Sequence, residues 1–179
     1  MEVISVKHNA DVIKGEYQFA DKVKNEVLRL LKGGVSTIPH NSSNVKATLH
    51  TDWYWESENI TFRNLKSYIR EEIEKHWKPG QCIGSPREML KVGNFWANVY
   101  KKGDYAQSHD HKPCDFSFAY FVKAKWYYPS LVFTDSGKRI RPKEGTFVAF
   151  PAYLMHYVPK HRYNDTRITL SGNLTINRA

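Results

Sequence analysis

Cysteine is nearly missing: Cys82 and Cys114 are the only two in 179 residues. So few exclude a disulfide framework and a cysteine-rich zinc module, and leave both as reduced bystanders. No apolar run approaches the length of a membrane span, and no basic segment leads into an apolar one at the N-terminus. The expectation is a soluble protein of the cytoplasm, or of a host's cytoplasm if phage-encoded, with no membrane partner. Internal repeats, low-complexity tracts and linkers are also lacking, which predicts one domain over 1–179. Acidic residues are in deficit, 18 against 27 basic ones, for a net charge of +9. That charge hastens encounter with acidic ligands and raises non-specific affinity for polyanions. The lysines are scattered, however, and no recognised nucleic-acid motif accompanies them. A basic solvated surface is expected, and a nucleic-acid partner is disfavoured.

What is present is a folding chain, with 41% apolar and 14% aromatic residues. Helical signals fill residues 1–90. Val23, Val27, Leu30 and Leu31 recur at helical spacing before Gly33-Gly34, and Phe62, Leu65, Ile69, Ile73 and His76 form a second stripe that Lys78-Pro79-Gly80 ends. The stretch between them, with Pro39, Asn41 and Ser42-Ser43, reads as a polar, exposed loop. Over 91–179 the texture changes to short runs separated by Gly, Pro and Asp. Residues 94–100, 116–122, 130–133, 145–150 and 167–176 read as strands. The fold class is therefore mainly β with flanking N-terminal helices, an antiparallel sandwich or barrel covered on one outer face.

Side chains alternate along a strand, so Arg167, Thr169, Ser171 and Asn173 share one face of the last strand and Ile168, Leu170, Leu174 and Ile176 the other. In a sandwich the polar face would meet water. In a barrel it would line a polar pocket. Periodicity leaves both open.

The stretch Gln107-Ser108-His109-Asp110-His111-Lys112-Pro113-Cys114-Asp115 concentrates metal-ligating side chains. On an extended segment His109 and His111 point the same way and Asp110 the opposite way, so the two imidazoles can bite one ion. His156, after a strand and a proline-led turn, is the candidate third ligand, and three imidazoles on one side of an ion leave room for substrate and oxygen. His8, His40, His50, His76 and His161 need only surface or core packing. Eleven residues past His156 stands Arg167. A guanidinium on an inward barrel face is costly without an anion, and it pairs bidentately with carboxylates.

In this order, the segments 96–123, 141–159 and 167–177 resemble the 2OG-Fe(II) oxygenases common in phage and bacterial genomes, relatives of prolyl hydroxylases. The resemblance implies a double-stranded β-helix (jelly-roll, cupin-like) core with Fe(II) near its open end and 2-oxoglutarate deeper inside. It implies His109 and His156 as iron ligands, Arg167 on the distal carboxylate of 2-oxoglutarate, and Thr169 donating a hydroxyl. Tyr100, on a strand whose other inward positions are Trp96 and Asn98, would also bind the cosubstrate, with Tyr120 as a second candidate.

The third ligand departs from the family's His-x-Asp/Glu pattern, because His111 occupies the carboxylate position. Either His109, His111 and His156 form the site, or Asp115 reaches back to supply the carboxylate. Asp115 could instead support a ligand imidazole by a hydrogen bond. The implied activity is a dioxygenase, most simply a hydroxylase, that uses molecular oxygen and couples decarboxylation of 2-oxoglutarate to succinate with C–H oxidation of a peptidyl or small-molecule substrate. Exposed aromatics in residues 50–59 are a candidate substrate lip. Two rivals remain: a 2-oxoglutarate-independent three-histidine iron dioxygenase and a non-catalytic jelly-roll binding protein.

Overall fold

The computed structural model describes residues 10–39, 43–76 and 90–176. Cys82, His8, His40 and the expected helix stop at 78–80 lie outside them. Two amphipathic helices come early. In α1 (Ala20–Lys32) Val23 and Val27 are fully buried, and the Gly33 N–H closes the last turn on the Leu30 carbonyl at 3.0 Å. In α2 (Ile60–His76) Phe62, Leu65, Ile69 and Ile73 fall on one side and are buried. Asn59 starts that helix by accepting the Thr61 N–H at 3.0 Å on its side-chain oxygen. His76 departs from the stripe: it sits exposed in the last turn.

Among the described residues eleven strands follow or flank the helices: β1 (Ile13–Glu16), β2 (Val45–Lys46), β3 (Leu49–His50), β4 (Leu90–Tyr100), β5 (Tyr105–His109), β6 (Phe116–Lys123), β7 (Leu131–Phe133), β8 (Arg139–Ile140), β9 (Thr146–Pro151), β10 (His156–Val158) and β11 (Arg167–Ile176). They build two antiparallel sheets, a six-stranded one in the order β1-β9-β6-β11-β4-β3 and a five-stranded one in the order β2-β5-β10-β7-β8. Both helices pack on the outer face of the larger sheet. There Val23, Val27, Phe62, Leu65, Ile69 and Ile73 meet Phe95, Phe118, Tyr120, Phe147 and Leu170 in one apolar cluster. Between the sheets a second cluster joins Phe121, Val148 and Phe150 to Leu131, Phe133 and Ile140. Helices on one outer face of an antiparallel β core is the architecture expected from the sequence.

The region between the helices differs from expectation. It contributes β2 and β3, one to each sheet. Thr51 is fully buried and its hydroxyl accepts the Ala97 N–H at 2.9 Å, so a polar side chain completes the sheet where the ladder is short. β1 likewise extends the larger sheet by pairing with β9. A strand of two residues has no periodicity to read, and Ile-Lys-Gly-Glu carries too little apolar content to mark an edge strand.

The two possibilities for β11 are resolved by burial. Ile168, Leu170 and Leu174 join the cluster under the helices. Arg167, Thr169 and Asn173 are buried on the inward face, and with Ser171 they line the space between the sheets. The register with β4 shifts after Gly172, where Gly93 and Asn94 of β4 stand against Asn173 alone, so the bulge is on β4 and the alternation of β11 runs unbroken. At Gly172 a Cβ would lie 2.6 Å from the Phe118 ring and 2.9 Å from the Asn94 carbonyl oxygen, so only glycine fits there.

Candidate metal and dicarboxylate site

Backbone pairing of β5 with β10 brings two distant histidines together, because His156 stands directly opposite His109. Their ring centroids are 4.5 Å apart. His111 lies two residues beyond β5, where its backbone N–H donates to the Ala152 carbonyl at 2.8 Å and fixes the turn. Its ring is 5.0 Å from that of His109 and 5.1 Å from that of His156. One nitrogen from each of the three rings lies within 4.8 Å of the others, close enough to share an ion. Nδ1 of His109 donates to the Gln107 carbonyl at 2.7 Å, and Nδ1 of His156 to the Leu154 carbonyl at 2.9 Å. A carbonyl can only accept, so these bonds place the proton on Nδ1 and leave the Nε2 lone pair for a ligand.

Burial keeps the rings neutral. It pushes His111 down to about 2, with help from the neighbouring His156 and His109, and His156 down to about 4, with His109 contributing. His109 is lowered by the same desolvation. Unprotonated imidazoles are the form that binds a metal.

The aspartates are held elsewhere. Asp110 pairs with Lys112 at 3.1 Å. Asp115 is buried and accepts the Ile176 N–H at 2.8 Å, tying the start of β6 to the end of β11. Among the described residues, the side chains gathered for a metal are His109, His111 and His156.

Arg167 is the other unusual group. It is 2% exposed, opposite Tyr100 in the β11–β4 ladder, with its guanidinium 5.2 Å from the Tyr100 ring and 5.8 Å from the Phe121 ring. One terminal nitrogen donates to the Pro129 carbonyl at 3.0 Å, while Nε has no hydrogen-bond partner. No carboxylate among the described residues pairs with it, and desolvation lowers its proton affinity. An uncompensated buried cation costs several kcal/mol, of the order of ~3–5 kcal/mol when a buried pair loses one partner.

Arg167, Thr169, Tyr100, Asn98 and the three histidines line one inner chamber of about 40 Å³. Burial pushes Tyr100 up to about 12, so its phenol keeps its proton. The side-chain oxygen of Asn98 has no partner. Its inward direction was legible from alternation with Trp96 and Tyr100, but nothing in the sequence marked its free oxygen. Outside the chamber lies an open cleft of about 580 Å³, walled by Trp53, Trp96, Lys46, Asn94, Asn173 and the His109–Cys114 turn. Cys114 in that turn is a free thiol.

Two sequence expectations are corrected here. Tyr120 does not reach the chamber: it is packed under the helices with Tyr17 and Phe118, because β6 is apolar on both faces and its parity places Tyr120 outward. The 50–59 aromatics divide, with Trp53 on the cleft, Tyr54 in solvent and Trp55 in the core.

No family model matches the sequence, and no curated protein matches it either. Similar solved structures do exist. A viral collagen prolyl hydroxylase from Paramecium Bursaria Chlorella virus-1, in complex with 2OG, superposes with TM-score 0.67 at 16% identity, covering 91% of this chain and 94% of that one. A Pseudomonas putida prolyl-4-hydroxylase gives TM-score 0.64 at 15% identity over 94% of each chain. HygX from Streptomyces hygroscopicus, with nickel and 2-oxoglutarate bound, gives 0.63 at 9% identity over 94% of this chain and 84% of that one. At such identities the likeness is one of fold. The chain has the double-stranded β-helix fold of prolyl hydroxylases and 2OG-Fe(II) oxygenases.

Proposed function

We propose that the protein is an Fe(II)- and 2-oxoglutarate-dependent dioxygenase, acting as a hydroxylase on a peptidyl or small-molecule substrate. The observation that carries this reading is Arg167, a buried guanidinium without a carboxylate, in the same chamber as three convergent imidazoles. Such a cation is tolerated if its partner is an anionic ligand. The neighbours that hold 2OG on the same fold support the reading. Iron, 2-oxoglutarate and molecular oxygen, when bound, supply the oxidising chemistry that couples decarboxylation to succinate with C–H oxidation.

The donor set fits the group. His109, His111 and His156 would hold the metal through neutral nitrogens, with the rings of His109 and His156 oriented by their carbonyl partners. Arg167 would grip the far carboxylate, and the Thr169 hydroxyl and the protonated Tyr100 phenol can each add a hydrogen bond. At about 40 Å³ the chamber is tight for a five-carbon diacid, so its lining has to yield as the ligand enters and water is excluded beside it. The substrate would reach the site through the outer cleft, against Trp53 and Trp96.

A three-histidine dioxygenase that needs no 2-oxoglutarate would consume oxygen without forming succinate and leaves Arg167 unexplained, and a binding protein without catalysis would take its anionic ligand without metal and with steep salt dependence. Anaerobic titration of Fe(II)-loaded protein with 2-oxoglutarate tests the proposal. A weak visible charge-transfer band is expected, absent in Arg167→Ala and His156→Ala. Well-metallated protein that never develops the band would refute it.

A further inference from the structure

Two loops far apart in sequence, one carrying Lys125-Trp126-Tyr127-Tyr128-Pro129 and the other Lys160-His161-Arg162-Tyr163, are clasped together in the fold. The Tyr163 hydroxyl donates to the Tyr127 carbonyl at 3.1 Å, and the ring of buried His161 meets Tyr128 edge-on at 4.7 Å. Backbone bonds of His161 with Gly103 and Asp104, each 2.7 Å, tie the second loop to the turn after β4. The Pro129 carbonyl, which accepts from Arg167, ties the first to β11.

The clasp holds aromatic rings in water. Trp126 is 73% exposed, more than any other large hydrophobic side chain among the described residues, and touches Tyr127 edge-on at 5.7 Å. Tyr127 and Tyr163, with centroids 4.8 Å apart, are each more than a third exposed. Exposed rings grouped in this way mark an interaction surface. The two tyrosines border an open pocket of about 270 Å³ that is also lined by Arg139 of β8, Lys160 and Arg162, and by no carboxylate. Asp165, the one acid of the two loops, is taken by Lys125 and by the Tyr128 hydroxyl. Arg139 and Arg162 are exposed and have no ion-pair partner among the described residues. Lys160 lies over the Tyr105 ring, 5.8 Å from its centroid, which supplies no carboxylate. Cations scattered in the sequence are thus gathered in space, which is why the sequence alone disfavoured a nucleic-acid partner.

Unpaired guanidinium groups call for an anion. An acidic peptide would satisfy them but leave the indole and phenol rings in water. A nucleic-acid strand without a complement offers both halves, phosphates for the cations and planar bases for the rings. We propose that this patch is a docking surface for single-stranded nucleic acid, separate from the chamber and the cleft, with which its pocket shares no lining residue. Arg139, Lys160 and Arg162 hold the backbone, and Trp126, Tyr127 and Tyr163 stack bases. Recognition of this kind tolerates many sequences and depends steeply on salt. The cleft stays free for substrate while the strand is bound.

Fluorescence anisotropy of a labelled single-stranded DNA, titrated with the full chain at several salt concentrations, tests this. Log affinity should fall linearly with log salt. Arg139→Gln combined with Arg162→Gln should lessen that slope by about 1.4, because each phosphate neutralised on a single strand contributes about 0.7. Trp126→Ala should weaken binding about tenfold with the slope unchanged, as expected for a lost stacking contact. Arg63→Gln combined with Lys91→Gln removes the same charge from a groove between α2 and the start of β4, and should alter binding far less. Polyglutamate should compete only weakly.

A strand that does not bind, or binds as tightly to Trp126→Ala as to the unaltered protein, overturns the proposal. So does an equal loss from the Arg63 and Lys91 changes, which would make the affinity a property of net charge. Polyglutamate competing on equal terms overturns it in favour of an acidic peptide. All five substituted side chains are exposed, and no outcome here touches the oxygenase reading.

Discussion

At the scale of the residue, the account turns on Arg167. Burying a guanidinium whose contacts are a hydrogen bond to the Pro129 carbonyl and the rings of Tyr100 and Phe121, with no carboxylate among the described residues, is a standing cost to the fold. Replacing it by methionine, which fills similar volume without charge, should leave the metal-free protein as stable as before or more stable by about 1 kcal/mol. The same change should abolish the rise in melting temperature that 2-oxoglutarate produces in the metallated protein. Thermal unfolding with and without the diacid checks both; a large loss of stability with ligand response intact would show that Arg167 is structural.

The histidines carry a pH signature. Burial lowers His50, His109, His156 and His111 below the ordinary histidine value. The unfolded chain therefore takes up protons that the folded one refuses. Stability is complete above about pH 6.5 and falls as pH drops below it, by up to ~1.4 kcal/mol per pH unit for each such ring. Denaturant melts of metal-free protein between pH 7 and 5 should show the decline, and His50→Phe should make it shallower. The histidines and Arg167 could be picked out in the sequence because their residue types and spacing suit a metal and an anion, although parity left inward and outward faces open and His111 falls in the turn beyond β5. Tyr120 could not be placed, since Phe116–Lys123 has buried side chains on both sides and parity alone does not say which side is the chamber.

At the scale of the element, β11 organises the site. It pairs with β4 and β6, gives its apolar face to the helices and its polar face to the chamber. Gly172 lets it pass Phe118 and the backbone at Asn94. Gly172→Ala should cost about 1–3 kcal/mol in a denaturant melt by forcing those neighbours apart. Asp115→Ala should cost a similar ~1–3 kcal/mol, because the buried Ile176 N–H loses its acceptor, while metal binding survives. If Asp115→Ala instead stays folded and loses the metal, the carboxylate is a ligand after all. Long strands such as β4, β6, β9 and β11 were readable because each buries enough side chains to impose a pattern. The short β2, β3, β8 and β10 were not, being specified by long-range backbone pairing with little pattern of their own. β5 and β10 show what that conceals, for their pairing, invisible in sequence, sets His109 against His156.

At the scale of the whole molecule, the helices and the six-stranded sheet form a rigid backing, and the chamber opens between that sheet and the smaller one. Helices first and strands after was legible from the change of texture near residue 90. Closure of the two sheets around a polar interior was expected from the resemblance to 2OG-Fe(II) oxygenases and not from periodicity, because alternation is the same whether a polar face meets water or a buried ligand. Among the described residues no helix is long and apolar enough to cross a membrane. The charge of +9 is an attribute of the surface at large, and it favours anionic ligands over cationic ones at the cleft.

The most direct measurement is a diffraction experiment on crystals grown anaerobically with Fe(II) and 2-oxoglutarate, using anomalous scattering at the iron edge. The account predicts one iron peak bound by nitrogens of His109, His111 and His156, with the far carboxylate of the diacid on the Arg167 guanidinium. Iron bound through Asp110 or Asp115 in place of His111, or a diacid lying away from Arg167, would contradict it.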